Sequence, residues 1–68
     1  MKTLEINDKI QRIEFGIPVG SPYIILKVTK TLAKSETATF KREFTDINDI
    51  ERKDDFWSPN KKYILINS

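Results

Sequence analysis

Apolar and polar residues alternate most regularly in the middle of the chain. Between residues 23 and 32, Ile24, Leu26, Val28 and Leu32 occupy even positions while Lys27, Thr29 and Thr31 occupy odd ones. That period of two predicts a strand with one buried face. Lys30 is the exception on the buried side. After a polar link over residues 33–36 the alternation returns, with Ala38, Phe40 and Phe44 set against Thr37, Thr39, Lys41 and Glu43, and Arg42 interrupting the buried register. Two neighbouring strands of similar length and a short link predict an antiparallel hairpin.

The pattern changes after Phe44. Thr45 is a good helix cap, Asp46 and Asp49 would sit favourably in a first turn, and Ile47 and Ile50 are three residues apart, so residues 45–54 predict a short helix. Ser58, Pro59 and Asn60 would end it. Tyr63, Ile64, Leu65 and Ile66 are apolar on both faces, which suits a central strand better than an edge. At the start, Leu4/Ile6 and Ile13/Phe15 alternate as strands around the turn-forming pair Asn7 and Asp8. Two short strands are the preferred reading there. The alternative is a helix with Ile6, Ile10 and Ile13 on one face, ended by Gly16 and Pro18. Gly20, Ser21 and Pro22 predict a loop before the central hairpin. The order of elements predicts a mostly β, α+β domain: a small five-stranded antiparallel barrel or curved sheet with one short helix before the last strand.

Composition narrows the chemistry. With 68 residues the chain is one small domain, residues 1–68, and a fold of this size buries little surface, so oligomerisation is a natural route to extra stability. There is no Cys and no His, which removes the usual zinc ligands, thiol nucleophiles and the usual general base near neutral pH. No metal and no cofactor is expected. Gly16 and Gly20 precede a predicted strand rather than a helix, so they do not form a phosphate-cradling loop. No apolar run approaches a membrane span and the first residues lack the apolar region of a signal peptide, so a soluble, cytoplasmic protein is expected.

Charge is unevenly distributed. Twelve Lys and Arg stand against ten Asp and Glu, but Asp46, Asp49, Glu51, Asp54 and Asp55 crowd into one short segment with only Arg52 and Lys53. Adjacent carboxylates such as Asp54 and Asp55 can do acid and base work, yet nothing in the pattern brings them to a nucleophile or an oxyanion donor. A non-catalytic protein is therefore expected. Two binding readings follow. In the first, the acids Asp46, Asp49, Asp54 and Asp55, together with Phe56 and Trp57, form a surface that docks on a protein partner, plausibly a host nucleic-acid enzyme with a basic groove. In the alternative, Tyr23, Lys27, Lys30, Lys34, Lys41 and Arg42 bind single-stranded nucleic acid, bases neutralising phosphates and the aromatic stacking. Ten Ile, nine Lys and four Asn against two Ala is a composition typical of AT-rich bacterial genomes and their phages. It favours the first reading in the form of a phage or mobile-element accessory protein that inhibits a host protein.

Overall fold

A computed structural model of the chain describes residues 1–54 and 61–67. The fold is mostly β. Eight strands follow in order: β1 (Lys2–Thr3), β2 (Lys9–Glu14), β3 (Ile17–Ile24), β4 (Lys27–Val28), β5 (Leu32–Lys34), β6 (Thr39–Lys41), β7 (Glu43–Phe44) and β8 (Lys61–Asn67). They make two three-stranded antiparallel sheets, β3-β2-β8 and β4-β5-β6, and a small β1-β7 pair. The sheets do not close into the expected barrel.

Leu4, Ile10, Ile25 and Phe40 are completely buried where the sheets meet. Phe40 stacks edge-on against both Tyr23 and Tyr63, with ring centroids 5.6 Å away in each case. Arg52 lies over the two tyrosine rings, 5.5 and 5.7 Å from their centroids, and donates to both hydroxyls and, at 2.8 Å, to Asp54 Oδ1. A guanidinium satisfies such a site well, because it offers several donors and a flat cationic face to the rings. Burial pushes the Arg52 pKa down, but the bonds it donates to Asp54 and Tyr63 outweigh this and raise the value, so the side chain is a permanent cation.

The expected helix over residues 45–54 is not formed, and no helix occurs among the described residues. The same residues that suggested a cap make a turn instead. Asp46 Oδ1 accepts the Asn48 N–H at 2.9 Å, and the Asp46 carbonyl accepts the Asp49 N–H at 3.0 Å. Asp and Asn compete with a helix in this way, and a two-turn helix has too little cooperativity to resist. Beyond the turn the chain is extended and stitches the two large sheets together. Ile50 N–H reaches the Tyr63 carbonyl and Leu65 N–H reaches the Ile47 carbonyl, while Lys41 N–H bonds the Glu51 carbonyl and Lys53 N–H that of Thr39. Strand β8, expected to be central, pairs with one strand only, and residues 47 and 50 supply its other side.

The central hairpin is also redrawn. Residues 23–32 are not one strand: β3 ends at Ile24, Ile25 N–H bonds the Asp8 carbonyl, and Leu26 N–H turns to the Lys34 carbonyl of the other sheet. Ile25 keeps the inward parity of Tyr23, so it is buried while Ile24 and Leu26 are 44% and 57% exposed, and only after the change of sheet does the even register face the core, at Val28. A tight turn closed by Thr29 and Leu32 then places Lys30 in solvent, which removes its apparent anomaly. Residues 33 and 34, expected in a link, belong to β5, and the link lies at residues 35–38, where Ser35 bonds Ala38. Ala38, Phe40 and Phe44 are buried as expected, and the N-terminal residues form strands rather than a helix.

Candidate functional site

The most unusual local geometry lies at the β2–β3 hairpin. Glu14 pairs with Ile17, leaving Phe15 and Gly16 as a two-residue loop with φ of 52° and 77°. Two positive φ values are the mark of a type I′ turn, whose first position ordinarily holds Asn, Asp or Gly. A phenylalanine in the left-handed region costs ~1–2 kcal/mol. Burial does not offset that cost, since Phe15 is 76% exposed and its neighbour Ile17 64%. Pro18 and Val19 extend the exposed apolar stretch.

Gln11 shapes the arm behind this tip. The register of β2 against β3 shifts between Ile10/Tyr23 and Arg12/Val19, so residues 20–22 bulge opposite Gln11. Gly20 takes a φ of 71° there, and the buried Gln11 amide donates to the Arg12, Val19 and Gly20 carbonyls at 3.1, 3.1 and 3.2 Å. Arg12 and Glu14 form an ion pair of 2.8 Å along the arm. On the face of the sheet turned away from Phe40, the register sets Ile13 beside Pro18 and Lys62, and Lys9 beside Ile24. Pro18 thus shares the outer face with Ile13 and Ile24, with Lys9 and Lys62 among them, while Ile17 and Val19, opposite Glu14 and Arg12, lie on the other face. Strand β3 is the sheet's free edge, but it does not offer a full row of donors. By the alternation of the ladder its even residues direct their N–H positions outward, and Pro18 and Pro22 have no N–H. Side chains rather than an open backbone are what this edge presents.

The residues expected to touch nucleic acid separate into two groups. Lys27, Lys30, Lys34 and Lys41 are exposed on the β4-β5-β6 sheet and its first turn. Tyr23 and Arg42 are elsewhere. Tyr23 packs against the core beside Phe40 and Arg52. Arg42 is a clamp: it donates to the Leu4 and Thr29 carbonyls, both at 3.0 Å, and to the Glu5 carboxylate at 2.9 and 3.1 Å. Its place on a nominally buried register is explained by these bonds.

Of the expected acidic surface, Asp55, Phe56 and Trp57 lie outside the described residues. Asp46 is engaged in its own turn, Asp54 is tied to Arg52, and Asp49 is exposed on a cleft shared with Lys61 and Lys62. Without a helix these acids do not share a helical face. Among the described residues no group of three or more acidic side chains converges as a metal site. No described helix is long and apolar enough to cross a membrane.

Phe15, Ile17 and Val19 were not among the residues singled out by sequence. The signal that could have found them is Phe15-Gly16 between Glu14 and Ile17, a two-residue loop ending in Gly. The preferred strands stopped at Phe15, and the helix alternative used Gly16 and Pro18 as a terminator, so neither joined Phe15 and Gly16 into one turn. Comparison with protein-family models, with curated proteins and with solved structures finds no match.

Proposed function

We propose that the protein is a non-catalytic interaction module that engages a protein partner through the β2–β3 arm, with Phe15 as the anchor and Ile17, Pro18 and Val19 beside it. The observation that carries this reading is a strained, exposed aromatic at a turn where Asn would be more stable. Strain of this kind persists where it serves a purpose. Large apolar side chains at a projecting tip, flanked by the Arg12–Glu14 pair, match the anatomy of an interface with an apolar centre and a polar rim. In its narrower form the partner is a host protein that the module blocks, as expected for a phage or mobile-element accessory protein.

The test is a quantitative comparison of proteins retained from a host lysate by the native chain and by Phe15→Asn. A partner held by the native chain and lost with the variant, while the variant stays folded, supports the arm as the binding surface. Identical retention by both contradicts it.

A further inference from the structure

We propose that the outer face of the β4-β5-β6 sheet binds the phosphodiester backbone of a nucleic-acid strand through Lys27, Lys34 and Lys41, without reading base sequence. The sheet register brings these lysines together. Lys27 stands directly opposite Lys34, and because Lys34 faces Thr39 while Leu32 faces Lys41, Lys41 lies diagonal to Lys34. Direct cross-strand neighbours sit ~5 Å apart and diagonal ones ~7–8 Å apart, and like charges at such positions destabilise a sheet. The chain nevertheless keeps three.

Protection of a sheet edge accounts for lysines on edge strands. It does not account for Lys34, because β5 is the middle strand of its sheet. These lysines hold no carboxylate, unlike the arginines and Lys53, although among the described residues Lys2, Lys9 and Lys62 hold none either. Arg12, Arg42, Arg52 and Lys53 each hold a carboxylate. Lys27, Lys34 and Lys41 have no ion pair among the described residues. The bridge between Phe40 and Arg52 sets Glu51 opposite Lys41, but Glu51 is already bonded by Lys53 at 3.1 Å. Lys30, exposed on the turn between β4 and β5, adds a further positive charge nearby.

The rest of the face decides the class of ligand. Apart from Leu32, the inter-strand positions named here carry Lys or Thr, so a protein partner would find little apolar surface to bury. With Tyr23 turned into the core, no ring among the described residues stands beside the lysines for a base to stack on. Among the described residues this face offers charge, and a phosphate backbone is a ligand that charge can hold.

The experiment is a fluorescence-anisotropy titration of a labelled thymidine oligonucleotide and a duplex of equal length, across a range of salt. Native protein, Lys27→Gln/Lys34→Gln and Lys34→Arg are compared, with poly-glutamate as competitor. Three phosphate contacts give a slope of log K against log salt of about −2 on a single strand. The double Gln variant is expected to bind on the order of ten-fold more weakly with a slope shallower by about 1.4, and Lys34→Arg to bind as the native chain does. The thermal midpoint of the double Gln variant should hold or rise, because the two like charges that face each other are gone; that separates lost binding from lost folding. Tighter binding of either oligonucleotide supports the backbone site and shows which form of strand it fits. No binding of either at low salt, binding indifferent to the Gln pair, or equal competition by poly-glutamate overturns the proposal.

Discussion

Phe15 shows local preference and exposure pointing the same way, against the residue that is there. Relieving the turn should stabilise the fold: Phe15→Asn is expected to add ~1 kcal/mol and raise the thermal midpoint by about 4–8 °C. A melt followed by circular dichroism checks this, and a lowered midpoint would mean that the ring supports the fold. Gln11 has the opposite character. Its amide serves carbonyls released by the β3 bulge, and Gln11→Leu should cost ~1–3 kcal/mol by leaving them without a donor. Urea unfolding would measure it; a change within error would mean that water satisfies the bulge equally well.

Elements here are short, and contacts between them carry the fold. Phe40 sits at the meeting point of both sheets with Tyr23, Tyr63 and the bridge to Arg52. Phe40→Ala should cost ~3–5 kcal/mol, close to the whole stability of a domain this size, and leave the chain largely unfolded by circular dichroism. A folded variant with a small loss would contradict that placement of the ring. The buried positions of Phe40 and Phe44 were legible in sequence because each lies on a strand that keeps one face to the core, and Ala38 enters β6 in the same register. Those of Ile24 to Leu26 were not. A period of two carries no information about where a strand leaves one sheet for another, and a single such step reverses every side chain after it. The segment 45–54 misled for a related reason: capping residues are also turn residues, and tertiary partners, Ile50 in the core and Arg52 on the rings, settled the choice. The proposed binding tip was half legible: Phe15-Gly16 marks a two-residue loop, but exposure, the quantity that makes Phe15 unusual, is a property of the folded molecule.

At the scale of the whole molecule, the Arg42–Glu5 ion pair ties distant parts of the chain together, and with the local Arg52–Asp54 pair it gives stability a definite response to pH. Bonds from Thr3 and Arg42 hold the Glu5 carboxyl below its ordinary value. Burial pushes Asp54 up, but bonds from Arg52 and the Thr39 backbone outweigh it and lower the value. A carboxyl that is more acidic folded than unfolded stabilises the fold above its unfolded pKa and loses that contribution as pH falls through the folded one. The thermal midpoint should therefore stay level from neutral pH to about 4–4.5 and fall below it, less steeply in Glu5→Gln/Asp54→Asn. Melts across that range check the expectation, and an unchanged profile in the double variant would assign the acid sensitivity to other groups.

The same scale brings the two surfaces together: an apolar arm suited to a protein and a basic sheet face suited to a phosphate backbone, on one small scaffold. The arm is the central claim. Its most direct test replaces Phe15 with a photo-crosslinking phenylalanine analogue, with the exposed Glu36 of the 35–38 loop replaced as the control, and irradiates both proteins in host lysate. A discrete protein adduct formed from position 15 and absent from position 36 is the expected result. No adduct from position 15, or the same adducts from both positions, would contradict the assignment of the β2–β3 arm as the binding surface.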